Sequence, residues 1–304
     1  MELGLRGRAA LTPLVASILV SALGCARLKA PSLPPDLEER TITALVIVHR
    51  GLVDRLKPKA WQTQALERVA SASRLFEEQF RLRFVVGAFQ IWDREVSLGE
   101  RPHDLLDQLR GKISAGANEI VIAFVPWPRL PPERIAGPGA ANFEKGYVLA
   151  RADFGSASSE SETITLVHEL GHLFGAKHVY RIESVMGGDP RETARFDRFN
   201  EKIVMAHRLR DFQAPEGGED GIDRCLAIEA YRELLEGEGE NDDTFLVHRR
   251  LGELLLVEGD LDGAARHLAQ LSGVNRRPWR IGSPSCCASG GSTHTMVPST
   301  RSGS

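Results

Sequence analysis

His168-Glu169-Leu170-Gly171-His172-Leu173-Phe174-Gly175-Ala176-Lys177-His178 is the stretch from which the rest of the chain is best read. It spells H-E-x-x-H-x-x-G-x-x-H, and each fixed position has a chemical reason. On a helix, positions i and i+4 share a face, so His168 and His172 can offer ring nitrogens to one metal ion. Glu169 lies one position round, within reach of a water at that ion without being a ligand. Gly175 can adopt the left-handed conformation that ends a helix, and the chain can then turn back to bring in His178 as a third ligand. Three neutral imidazoles and a water form the open tetrahedral arrangement of a catalytic zinc site, so one Zn2+ per chain is expected.

The surrounding residues agree with a helix. At 100° steps, Thr165, His168, Glu169 and His172 fall on one arc, and Ile164, Leu166, Val167, Leu170, Leu173 and Phe174 on the other. Such a helix buries its apolar arc and lines a cleft with its polar one.

At these residues the chain resembles the metzincin clan of zinc metallopeptidases. Ser184-Val185-Met186-Gly187 follows the third histidine at a spacing that suits the Met-turn, the loop beneath the zinc in that clan. The motif and the Met-turn cover Thr163 to about Pro190. The resemblance implies a zinc-dependent endopeptidase acting on protein or peptide, with His168, His172 and His178 on the metal. Glu169 would be the general base, and Met186 a structural support. It also implies an α+β fold, a metzincin-like catalytic domain with a twisted mixed sheet, helices, a zinc helix and the Met-turn. In that clan the strand nearest the cleft pairs with extended substrate. By element order alone, Tyr147, Val148, Leu149, Ala150 and Arg151 are the candidates for it, and edge-strand pairing is the physical mode. No familiar subfamily fits. Val179 follows the third histidine where well-known families carry other residues, and Gly188 stands where astacin-like enzymes place a tyrosine ligand. No cysteine between Cys25 and the motif offers a cysteine switch. Two other classes stay open: an adaptor with a vestigial metal site, and a zinc hydrolase of a non-peptide amide or ester.

Ahead of the motif, strands alternate with helices. Thr41–Val48 and Leu82–Trp92 read as strands, and Glu119–Val125 as a third. Between the first two, Trp61, Ala65, Val69, Ala72, Phe76 and Phe80 recur at helical spacing after Pro58, and Pro102 opens a helix carrying Leu105, Leu106 and Leu109. Pro126–Gly146 is rich in Pro and Gly and reads as a long surface loop. The peptidase domain is taken as residues 41–213, closed by a helix at Phe196–Leu209.

Residues 1–24 read as a secretory signal peptide, with Arg6 and Arg8 ahead of an apolar run too short to span a bilayer. Ala22-Leu23-Gly24-Cys25 resembles a bacterial lipobox, which makes Cys25 the lipidation candidate and residues 25–40 a tether. The expected location is the bacterial cell envelope, reached by export and held by lipid, or otherwise periplasmic or extracellular. After a linker at 214–223, residues 224–272 carry Ala227, Tyr231, Leu234, Leu251, Gly252, Leu255, Gly259, Leu261, Ala264, Leu268 and Leu271 at offsets resembling a tetratricopeptide repeat. A small helical region is expected there, separable from catalysis and able to offer a protein-partner surface. Residues 273–304 read as a disordered tail. The net charge of −3 gives no argument for nucleic acid, and four cysteines in 304 residues do not make a disulfide scaffold.

Overall fold

From Ile42 onward the first strand is almost unbroken Ile, Ala, Leu and Val, the composition of a strand covered on both faces. In the computed structural model it is β1 (Arg40–His49), and every residue from Ala44 to His49 is buried. The structure describes residues 37–56, 59–94, 100–126, 139–154, 159–180, 183–187, 193–214, 221–238 and 243–274. β1 lies between β2 (Leu82–Trp92) and β3 (Ile120–Val125), parallel to both. β5 (Tyr147–Arg151) continues the sheet parallel to β3, and β4 (Gly139–Asn142) closes it antiparallel to β5. The order is β2-β1-β3-β5-β4.

The sheet sits between two layers. On one face, α3 (Pro102–Lys112) packs Leu105, Leu106 and Leu109 against Leu45, Ile47, Val121, Ala123 and Leu149. The alternate residues of the same strands, Val46, Ile122 and Val148, face a larger core. That core holds α2 (Ala60–Phe80) and α4 (Ser159–Leu173), the helix that carries the histidine motif. Phe76 is central to it, with its ring 5.2–5.9 Å from those of Phe80, Phe84, Phe174 and Phe196. A nearly buried ion pair, Arg68 Nε to Glu162 Oε2 at 2.9 Å, joins α2 to the first turn of α4. A short helix, α1 (Arg50–Val53), follows β1.

The element order agrees with the sequence reading, and the metzincin-like α+β fold is what the structure has. Two expectations need correction. The segment read as one long loop contains β4. In consequence Tyr147–Arg151, a strand as expected, is paired on both sides: β3 takes one edge and β4 the other. With its backbone groups used in both ladders, β5 cannot accept an extended substrate as a further strand. Among the described residues, the edge left without a strand partner beside the zinc helix is that of β4.

After the Met-turn, α5 (Arg198–Ala206) closes the peptidase part. Three helices follow: α6 (Arg224–Glu238), α7 (Thr244–Val257) and α8 (Leu261–Val274). Ala227, Tyr231, Leu234, Val247, Leu251 and Leu254 belong to the same core as α2 and α4. This departs from the expectation of a separable segment: α6 packs on α5 and its buried residues share the core of the zinc helix, while α7 packs on α6 and α8 on α7. No helix among the described residues is long and apolar enough to cross a membrane. The segments expected as signal peptide and lipidated Cys25, residues 25–36 of the expected tether, most of the expected linker and residues 275–304 of the expected tail lie outside the described residues.

Candidate metal centre

The zinc helix ends as the motif's glycine demands. Gly175 has φ +82°, its N–H donates to His172 O at 3.1 Å, and Ala176 N donates to Gly171 O at 3.2 Å. This paired closure reverses the chain and satisfies two end carbonyls. A side chain at Gly175 would be strained and would meet the Tyr231 hydroxyl at 2.6 Å. Beyond the turn, Asn200 of α5 holds the backbone of Lys177 from both sides. Its Oδ1 accepts from Lys177 N at 2.7 Å, and its Nδ2 donates to Lys177 O at 2.9 Å. The next residue is His178.

The turn brings the three rings together. His168 Nε2 lies 3.1 Å from His178 Nε2 and 3.2 Å from His172 Nε2. The opposite nitrogens are engaged elsewhere. His168 Nδ1 donates to Val185 O at 2.7 Å, and His172 Nδ1 donates to Ala176 O at 2.8 Å. His178 Nδ1 lies 3.0 Å from Asp243 Oδ2. A carbonyl or carboxylate oxygen can only accept, so each Nδ1 carries the proton and each Nε2 turns a lone pair inward. Three lone pairs turned to one place, with His168 Nε2 3.1 and 3.2 Å from the other two, repel, and a cation among them removes the repulsion. The donor set therefore fits a single zinc ion, and no other cluster of at least three metal-ligating side chains occurs among the described residues.

Burial keeps the His168 and His172 rings neutral. It lowers the His168 pKa to about 3, with the neighbouring His178 adding to the effect. Burial, then His168 and His178, hold His172 well below its ordinary value. Neutral imidazole is the ligating form, so His168 and His172 need no deprotonation before they take a metal. Burial, the largest influence, opposes ionisation of Asp243, but its hydrogen bond with His178 and the electrostatic pull of His178 and Lys177 together outweigh that and hold its carboxyl below the usual carboxylate range.

Glu169 is wholly buried, and burial alone pushes its pKa well above the usual carboxylate value. Among the described residues no group hydrogen-bonds to either of its oxygens. Gly139, at the start of β4, is packed against it so closely that a Cβ there would lie 2.6 Å from Oε1. A carboxylate left without a partner in such a place is costly unless a nearby cation offsets it.

Met186 is buried below the helix. Its loop is tied by Gly187 N to Ser184 O at 2.9 Å and by Val179 N to Met186 O at 3.0 Å, and the Ser184 hydroxyl donates to Asp197, the N-cap of α5. Gly171 leaves room for it: a Cβ there would meet the Met186 sulfur at 3.1 Å and the Phe196 ring at 2.7 Å.

His168, Glu169, His172, His178 and Met186 are thus brought into one place, whereas Tyr147–Arg151 lie one strand further in than the rim. His207 is buried elsewhere, with Nδ1 donating to Ile203 O, and Tyr180 is largely exposed. Sequence reading missed Gly139 and Asp243. Gly139 lay hidden in a Pro- and Gly-rich stretch. Asp243 stands just before a helix, where an aspartate reads as an ordinary N-cap.

A sequence model of metallo-peptidase family M12 matches residues 38–189, half of the chain and all of the sheet, the zinc helix and the Met-turn. No curated protein matches. Among solved structures, an archaemetzincin from Methanopyrus kandleri is similar at 17% identity and a TM-score of 0.42, covering 59% of this chain and 99% of its own. A chaperone–substrate complex is similar at 15% identity and a TM-score of 0.41, covering 66% of this chain and 35% of that one. The family match spans every strand and ends just past the methionine beneath the three histidines, and on it the chain is a zinc-dependent peptidase belonging to metallo-peptidase family M12.

Proposed function

We propose that this peptidase cleaves within peptide chains, with Glu169 as its general base. The observation that carries the reading is one juxtaposition: three Nε2 atoms turned to a common point, and a buried carboxylate one residue after the first of them. Held by His168, His172 and His178, zinc would supply the Lewis acid that acidifies water and polarises a carbonyl. The rest falls to the chain. Val185 O, Ala176 O and Asp243 fix the three rings and their tautomers. Glu169 takes the proton from the attacking water and, with burial favouring its protonated form, keeps it while the tetrahedral carbon forms. It then delivers that proton to the departing amide nitrogen and returns to a carboxylate. The products are a carboxylic acid and an amine, and the proton balance closes on Glu169.

The open edge of β4 supports cleavage within a chain. A peptide laid along it as a further strand keeps its main-chain hydrogen bonds and can run on in both directions. The complete ligand set and the base beside it give no support to an adaptor with a vestigial site.

Glu169→Gln tests the mechanism. It keeps the side chain's size and leaves the imidazoles untouched, so zinc content is expected to stay at one per chain. Hydrolysis of an internal peptide bond is expected to fall by roughly 10²–10⁴. Wild-type rates in that variant would sink the assignment.

Export belongs to the same proposal. The arginines and apolar run of residues 1–24 and the Ala22-Leu23-Gly24-Cys25 sequence support cleavage before Cys25 and lipid attachment in a bacterial envelope. Mass spectrometry of the mature N-terminus is expected to show a lipidated Cys25. A bare cysteine there would remove the anchor and leave secretion.

A further inference from the structure

The third histidine is held differently from the other two. His168 and His172 donate to neutral backbone carbonyls, whereas His178 meets a carboxylate. That carboxylate is Asp243, 65 residues further along the chain and at the head of α7. Asp243 stands at the N-cap position, yet its side chain makes no capping hydrogen bond there. Instead a single oxygen, Oδ2, receives both the His178 ring nitrogen at 3.0 Å and the His178 backbone N–H at 2.9 Å. The residue has no exposed surface. A buried charge is retained at a cost, and this one is spent on fixing both the backbone and the ring of one residue.

Two further groups from the C-terminal helices grip the same reversal. The Tyr231 hydroxyl of α6 donates to Gly175 O at 3.0 Å, and Glu238, at the end of α6, accepts from Tyr180 N at 3.1 Å. The chain from Gly175 to Tyr180, with His178 in its middle, is therefore clamped from beyond the family match.

We infer that Asp243 is a positioning residue for the zinc site, and that the helices after residue 223 complete that site by supplying it. The inference rests on the zinc-peptidase reading above. A carboxylate on Nδ1 fixes the tautomer and ring angle and makes Nε2 a stronger donor, and losing such a partner typically weakens metal binding by about 10–100-fold.

The test uses the full-length protein and Zn2+ itself, with the dissociation constant measured by chelator competition. Asp243→Ala is expected to weaken zinc binding by about 10–100-fold. Asp243→Asn, which keeps size and an accepting oxygen but not the charge, is expected to fall between Asp243→Ala and the wild type. Asp262→Asn, which neutralises an exposed carboxylate of α8 outside the clamp, is expected to bind zinc as the wild type does. With Co2+ in place of zinc, Asp243→Asn is expected to shift the visible ligand-field bands, which a purely structural residue would leave alone. If Asp243→Ala does not fold, Asp243→Asn decides. Wild-type zinc affinity and an unchanged Co2+ spectrum in folded Asp243→Asn would overturn the inference while leaving the peptidase reading intact. A wild type that takes up no zinc would overturn the reading beneath it.

Discussion

His207 lies outside the zinc site, and its environment makes a measurable prediction. Burial, followed by the charge of Arg250, lowers its pKa to about 3. In the unfolded chain it titrates near 6.5. Between those values the unfolded chain holds a proton that the folded chain refuses. The stability that neutral His207 permits is therefore whole above about pH 6.5 and drains away as the pH falls towards 3. The slope from this one group is up to about 1.4 kcal/mol per pH unit. Removing the imidazole removes that component. In chelator, so that metal release does not contribute, His207→Asn should show a flatter dependence of urea-unfolding free energy on pH between 7 and 4 than the wild type. Equal slopes would mean that His207 is not buried as described. At this scale the sequence was readable where chemistry sets the spacing. His168, Glu169, His172, Gly175 and His178 are fixed by helix geometry, one turn and one ion. Asp243 was not readable. Nothing local distinguishes an aspartate that caps a helix from one that reaches a histidine 65 residues away.

Strands and helices were legible in proportion to their periodicity. α2 announces itself through Trp61, Ala65, Val69, Ala72, Phe76 and Phe80, and β2 and β5 have the expected bounds. β4 escaped because Gly139-Ala140-Ala141-Asn142 has almost no strand propensity, and only pairing with β5 makes it a strand. That small-residue composition has a use. Gly139 lets the edge backbone lie directly against Glu169. A methyl group there must displace a buried carboxylate, because the gap is well under van der Waals contact. Gly139→Ala is expected to keep zinc content and overall fold but lower kcat by about 10–10²-fold, the usual result of misplacing a reacting group by a fraction of an ångström to an ångström. Full activity in that variant would show that β4 stands further from the base than described.

For the whole molecule, the family match and the core have different boundaries. The match ends at residue 189, but the apolar core continues through Phe199, Ile203, Tyr231 and Leu251. Residues after the sequence-based linker share the core of the zinc helix, so a division drawn from composition at 214–223 does not separate two folding units. Its failure has a simple cause: a Gly- and Pro-containing connection records where the chain turns outward, not whether the next helices pack back. The Asp243–His178 contact adds a consequence of timing. A chain made from its N-terminus has all three zinc histidines and Glu169 available before Asp243 has been synthesised. Until α7 forms, His178 lacks the group that sets its ring, so the peptidase is at its weakest hold on zinc while it is still a growing chain. On that inference, the tightest hold on zinc is expected only once α7 is in place.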